Sequence, residues 1–147
     1  MDEDVSHLIQ NFQNLSSPVQ ATLDSANESI LELIQNDPML FLFLSAKIMH
    51  LDDLPDSVYR AAITLMGHAL TPSINVPITA IGSVFLDPSN SDRRKLIKEA
   101  VFRGLMFTDQ SIRHQASYCV NLILQIETDE WSELLPSLFE VANSSTS

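Results

Sequence analysis

Apolar residues recur along this chain at intervals of three, four and seven positions, which is the period of amphipathic α-helices. Glycine is scarce, and most of the seven prolines fall between the periodic segments, as expected of helices joined by tight connections. The pattern therefore predicts an all-α fold. The predicted helices span residues 4–15, 17–36, 38–50, 56–70, 77–86, 92–107, 110–127 and 130–143.

Two of these helices repeat one another, because five apolar positions of helix 56–70 recur in helix 110–127 at identical internal spacing. The matched sets are Val58, Ala62, Leu65, Met66 and Ala69, and Ile112, Ala116, Cys119, Val120 and Ile123. A fainter copy lies in helix 17–36, where polar Asn27 occupies one of the positions. Each repeated helix is followed by a second one, and such hairpins must stack on their neighbours to cover their apolar faces. We therefore predict an α-solenoid of the HEAT or armadillo type.

The predicted solenoid is one domain over residues 1–147, with about three stacked helical hairpins at 4–50, 56–107 and 110–143. A chain of 147 residues that is 45% hydrophobic can bury the core of one such domain. The most hydrophobic run, residues 39–44, is followed too closely by Lys47 and His50 to span a membrane, and we expect it in the core or in an interface. The acidic N-terminus shows no export signal.

The formal net charge of −11 disfavours binding to nucleic acid or to an anionic membrane surface. It favours a basic protein partner, although it is equally explained as the charge that keeps a helical surface soluble. The dense positive cluster at residues 93–95, with Lys98 one turn on, also has two interpretations. It forms either a solvated helix face near the acidic loop 87–92 or a contact for an acidic partner surface.

Catalytic and metal-binding patterns are missing from the sequence. His7, His50, His68 and His114 lie in four separate segments without ligand-like spacing, and Cys119 lies in an apolar helical pattern typical of a core thiol. No glycine-rich phosphate loop, nucleophile elbow or His-Glu-x-x-His pattern occurs. We therefore predict a protein that is not an enzyme and holds no metal and no cofactor.

Three segments together resemble the N-terminal end of the importin-β (karyopherin-β) nuclear transport receptors. The resemblance is carried by Leu15-Ser16-Ser17-Pro18, by Asp56-Ser57-Val58-Tyr59-Arg60-Ala61-Ala62, and most specifically by the third repeat. There, residues 111–120 and Ile126-Glu127 precede Trp131-Ser132-Glu133-Leu134-Leu135-Pro136-Ser137-Leu138, which is similar to the family's Trp-Pro-Glu-Leu-x-Pro-x-Leu sequence.

Two features depart from the family pattern. Ser132 stands where the family often has proline, and a tryptophan often found in the insertion of the second repeat is absent. Members of the family are several times longer, so the resemblance implies that this chain corresponds to an N-terminal piece of such a receptor.

The resemblance implies binding to the small GTPase Ran in its GTP form and a role in protein import into the nucleus. It implies shuttling between cytoplasm and nucleus through the nuclear pore, with nucleoporins and basic cargo or adaptors bound by further repeats. Ran would contact the second, inner-face helices, here 38–50, 92–107 and 130–143. The polar candidates on these helices are Lys47, Arg94, Lys98, Glu133, Ser137 and Glu140. The alternative is a HEAT-repeat scaffold or assembly factor unrelated to transport.

Overall fold

The structure is a computed structural model that describes residues 3–71 and 85–127. The helices that lie wholly within these ranges are α1 (Glu3–Asn14), α2 (Gln20–Asn36), α3 (Pro38–Met49), α4 (Asp56–Leu70), a 3₁₀ helix (Pro88–Asn90), α5 (Ser91–Gly104) and α6 (Gln110–Ile126). The predicted helix at 130–143 lies outside the described residues. Of the predicted helix at 77–86 only Phe85 and Leu86 are described, and both are helical.

Two of the α-helices begin at aspartates that cap them. The Asp37 carboxylate accepts a hydrogen bond from the Leu40 backbone N–H at 3.2 Å, and Asp109 accepts one from the Ile112 N–H at 3.2 Å. These bonds satisfy amide hydrogens of the first turn that have no partner within the helix. Pro38 follows Asp37 directly, where its missing N–H costs nothing.

Two boundaries differ by three residues from the prediction. α2 begins later because the Ser17 hydroxyl accepts the Val19 backbone N–H at 3.1 Å, and Val19 has an extended backbone. α5 ends earlier because the backbone forms a tight turn after Gly104. The Phe107 N–H donates to the Gly104 carbonyl, three residues back, at 3.3 Å, which forms a turn in place of an α-helical bond.

The helices form two layers. α4 and α6 lie side by side in the first layer, α3 and α5 form the second, and α1 packs on α2, α3 and α4. The layers are joined by packing of α3 on α4, and of α5 on α6. One continuous apolar core runs through both layers. This arrangement is an α-solenoid, which confirms the predicted fold class.

The repeat between α4 and α6 coincides with direct packing of these two helices. Three of the matched pairs of positions are buried in both helices, namely Val58 with Ile112, Ala62 with Ala116, and Ala69 with Ile123. The sequence repeat therefore reflects two equivalent helices of the first layer, each turning the same face to the core.

α2 occupies a different position from the one that the fainter repeat indicated. It packs on α1 and α3, whereas α1 packs on both α3 and α4. α2 buries only Ala26, Ile30 and Ile34, and Asn27 is exposed. A solenoid needs a polar outer face on its terminal element. The polar residue at an otherwise apolar repeat position is therefore the mark of a helix that covers the end of the solenoid.

α5 approaches α6 closely at Gly104. A Cβ atom built at Gly104 would lie 3.0 Å from the Cβ of Ala116 and 3.6 Å from Ile63 Cδ1 and Met49 Cε. Ordinary carbon–carbon contacts are about 3.5–4.0 Å, so a side chain at this position would force the two helices apart. The absence of a side chain at residue 104 is therefore part of how the second layer packs on the first.

No helix within the described ranges is long and apolar enough to cross a membrane.

Candidate partner-binding face

The second layer exposes one stripe of α3. Eight of the twelve residues of this helix are buried. Leu40, Phe43 and Lys47, which recur at intervals of three and four, are only partly buried and share one helix face. This face is where the predicted contact residue Lys47 lies. Glu133, Ser137 and Glu140 lie outside the described residues, so the predicted contacts on the third hairpin stay predictions.

Lys47 belongs to a cluster that includes a second helix. The Lys47 Nζ lies 4.6 Å from the centroid of the Phe43 ring, and the Arg93 guanidinium of α5 lies 4.9 Å from the same centroid. Both distances are in the range of cation–π interactions, because the face of an aromatic ring carries partial negative charge. We call Phe43, Lys47 and Arg93 the cationic cluster. It brings two positive charges together on the surface of an acidic protein.

Sequence reasoning did not identify Phe43 or the pairing of Arg93 with it. The spacing of Phe43 and Lys47 by four residues placed them on one helix face, and this was the available signal. The distance between Phe43 and Arg93 could not be read from the sequence, because it depends on how α5 packs against α3.

Arg94 and Lys98 pair with a buried carboxylate. The Lys98 Nζ lies 2.5 Å from Glu127 Oε2, and the Arg94 Nε lies 3.5 Å from Glu127 Oε1. The Glu127 side chain is 0% exposed, and those of Arg94 and Lys98 are 15% and 20% exposed. A buried carboxylate without a counterion would be strongly disfavoured, so these cations have a structural role at the end of α6.

The position of Glu127 corrects one interpretation of the basic segment 93–98. That interpretation described a solvated helix face near the acidic loop 87–92, but Arg94 and Lys98 are mostly buried and contact the carboxylate of the residue after α6. In the sequence, Glu127 stands out only as part of the segment that resembles the importin-β family. The available signal was its position directly after an apolar helix, because a carboxylate buried there requires a cation as partner.

Other basic side chains join the repeats to one another. Arg60 of α4 lies 2.6 Å from the Asp109 carboxylate at the start of α6, and Arg103 of α5 lies 2.8 Å from Asp52. The hydrogen bond from Arg60 is the main cause that holds the pKa of Asp109 below its usual value, followed by the bond from the Ile112 backbone N–H. These ion pairs connect α4 to α6 and α5 to the loop before α4, and they contribute little to stability because most of these side chains are substantially exposed.

Cys119 is a packed core residue, as predicted. It is buried, and its thiol donates a weak hydrogen bond to the Ile63 carbonyl at 3.5 Å. Burial raises the pKa of Cys119 to about 12, so the thiol is protonated at neutral pH and is a poor nucleophile. Within residues 3–71 and 85–127, no group of three or more His, Cys, Asp or Glu side chains is arranged to hold a metal ion.

The fold and this face define the protein as an α-solenoid with a candidate protein-binding surface on its second layer. No protein-family model matches the chain, and no curated protein matches it by sequence. Its structure is similar to a chain in a solved structure of a Kap95p complex, in which Kap95p binding induces the switch loops of RanGDP to adopt the GTP-bound conformation. The TM-score is 0.78 and the sequence identity 16%. The match covers 96% of this chain and 16% of that chain. This comparison shows that the two chains share a fold.

Proposed function

We propose that this chain is the N-terminal part of a nuclear transport receptor that binds the GTPase Ran in its GTP form. The observation that supports this most strongly is the likeness of its fold to a chain of the Kap95p–Ran complex over nearly the whole length of this chain. Because the match spans only 16% of that chain, cargo and nucleoporin binding would belong to further repeats. The proposed location is accordingly the cytoplasm and the nucleus, with exchange through the nuclear pore.

The cationic cluster is the part of the second layer that we propose as the Ran contact. Lys47 and Arg93 come from two helices and give the surface a local positive charge, and Phe43 adds a partly exposed ring between them. Aromatic and arginine side chains are the residues that most often dominate binding energy in protein interfaces. Arg94 and Lys98 are expected to contribute little, since Glu127 already opposes their charge.

Nucleotide dependence tests the proposal directly. The whole chain is immobilised and Ran is titrated over it, loaded either with GDP or with a non-hydrolysable GTP analogue. We expect binding that strongly prefers the GTP-like form. Arg93→Glu should weaken this binding about tenfold or more, and Lys95→Glu, an equal charge change at an exposed position of α5, should weaken it by less than about threefold. Loss of affinity that is equal for the two variants would exclude the cationic cluster as the contact.

A HEAT-repeat scaffold is the second candidate function. Its specific support is that Arg94 and Lys98, two of the predicted contact residues, are held by Glu127 and thus serve the internal structure. A scaffold would bind its partners without regard to the nucleotide on Ran. Equal binding of both forms of Ran, or none, would favour this function over the transport receptor.

A further inference from the structure

The side chain of Met106 extends into solvent from the turn between α5 and α6. It is 85% exposed, the highest value among the large hydrophobic side chains that the structure describes. The other described methionines are Met39, Met49 and Met66, and each is at most 2% exposed. Cys119 is 0% exposed. Four of these five sulfur-bearing side chains therefore lie in the core, and the fifth is open to dissolved reagents.

The turn that carries Met106 is held together by its backbone and by Arg113. The Met106 N–H donates a hydrogen bond to the Arg103 carbonyl at 3.1 Å. The Arg113 Nη1 donates to the carbonyls of Phe107 and Thr108 at 2.9 and 2.8 Å. None of these bonds uses the side chain of Met106. The turn therefore keeps its shape when the chemistry of that side chain changes.

An exposed thioether is open to oxidation by hydroperoxides. The sulfur lone pair attacks one oxygen of the peroxide, a sulfur–oxygen bond forms, and the oxygen–oxygen bond breaks. The sulfur loses two electrons and becomes a sulfoxide. The departing oxygen gains these electrons, takes the proton of the transferred hydroxyl group, and leaves as water, or as an alcohol when the oxidant is an alkyl hydroperoxide. A buried methionine reacts only when the chain opens around it, so its oxidation is slow.

We propose that Met106 is a site of reversible oxidation by hydroperoxides. A sulfoxide converts the apolar side chain into a polar one, which disrupts a protein where that side chain packs in the core. At Met106 the added oxygen stays in solvent, so the oxidised protein keeps its fold. The sulfoxide is then accessible to the methionine sulfoxide reductases that return it to methionine. At Met49 or Met66 the same oxygen would enter the apolar core, where an unpaired polar group is costly.

Peptide mapping measures the oxidation of each methionine separately. The whole chain is treated with dilute hydrogen peroxide, quenched at intervals, digested with trypsin and analysed by mass spectrometry. Met106 is the one methionine of the tryptic peptide 104–113, and Met49 and Met66 fall in two other peptides. In the folded chain we expect Met106 to oxidise at least about tenfold faster than Met49 or Met66. In the urea-unfolded chain the three rates should agree within about twofold, because all three thioethers are then exposed.

A matched pair of variants tests whether the fold tolerates a polar group at residue 106. Met106→Gln imitates the polarity of the sulfoxide and should leave the melting temperature within about 1 °C of the parent value, because the side chain packs on nothing. Met49→Gln is the same change in the core and should lower the melting temperature by more than about 5 °C. Protein oxidised at Met106 should melt like Met106→Gln. The two reductases, one for each sulfoxide epimer, should together restore the original mass of the peptide 104–113.

Equal oxidation rates of Met106, Met49 and Met66 in the folded chain would overturn the proposal, because exposure would then not select the site. A fall in the melting temperature of more than about 3 °C on oxidation of Met106 would also overturn it, since the fold would depend on that side chain. The same holds for a sulfoxide in the peptide 104–113 that the reductases leave unchanged in the folded protein.

Discussion

The close approach at Gly104 yields a prediction that can be worked out from distances. Gly104→Ala would place a methyl group 3.0 Å from the Ala116 Cβ, about 0.5 Å inside the ordinary contact distance. The contact partner is itself bonded to the backbone of α6, so relief requires a shift of a helix. Overpacking of this kind costs about 1–3 kcal/mol. The gain in helix propensity is less than about 1 kcal/mol, because residue 104 is the last of α5.

The other described helical glycine provides the matched control. A Cβ built at Gly67, in the interior of α4, would lie 3.4 Å from a ring carbon of Tyr118, whose side chain is partly exposed and can move. We therefore expect Gly67→Ala to be neutral or to stabilise the protein by up to about 1 kcal/mol. Gly104→Ala should destabilise it by about 1–2 kcal/mol, which lowers the melting temperature by about 3–6 °C in a chain of this size.

Urea unfolding and thermal melts followed by circular dichroism measure both effects. The double variant Gly104→Ala with Ala116→Gly removes the clash, so the two substitutions should couple favourably by about 1 kcal/mol relative to the sum of the single effects. A Gly104→Ala protein as stable as the parent, or a double variant without coupling, would refute the close approach of α5 to α6.

Four further predictions concern the surroundings of single side chains. Glu127→Gln leaves its two basic partners without their carboxylate and should destabilise the protein by about 2–3 kcal/mol in urea unfolding. This is less than the roughly 3–5 kcal/mol typical of buried pairs, because the cations reach solvent. Ser45→Ala should raise stability by about 1 kcal/mol, since its buried hydroxyl bonds to no described residue; a loss would show a missing partner. The pKa of Asp109 is lowered chiefly by Arg60, so Arg60→Met should be less stable than the parent at neutral pH. This difference in the free energy of unfolding should shrink as the pH falls below about 4, where the carboxylate becomes protonated; a difference independent of pH would contradict the prediction. Cys119 should react with a disulfide reagent about 100-fold more slowly in the folded than in the urea-unfolded chain; fast labelling of the native protein would show that it is accessible.

The fold was predictable because helical periodicity is local. The period and the prolines defined α3 and α4 within one residue, and the repeated positions of α4 and α6 marked the two helices that pack side by side. Helix ends were predicted less well where local hydrogen bonds outside the helix decide them. The Ser17 hydroxyl delays α2, and the turn after Gly104 shortens α5, and neither effect has a periodic signature.

The candidate site was predictable only in part, because periodicity within one helix says nothing about the distance between helices. Lys47 was selected as a polar residue on a second-layer helix, and it does lie in the cationic cluster. Its neighbour Arg93 is 46 positions away along the chain, and Glu127 reaches Lys98 across 29 positions. Such pairs depend on how the layers stack, so the sequence could indicate the basic segment but not which carboxylate or ring each cation would meet.

The location of α2 at the end of the solenoid explains why Asn27 interrupts the apolar repeat in this helix. A helix inside the stack needs apolar residues on the faces that meet its neighbours, whereas a terminal helix needs them on one side only. α2 keeps Ala26 and Ile30 in the core but exposes Asn27, Glu28 and Leu31 to solvent. A polar residue at a repeat position therefore indicates the end of the array, and it does not count against membership of the array.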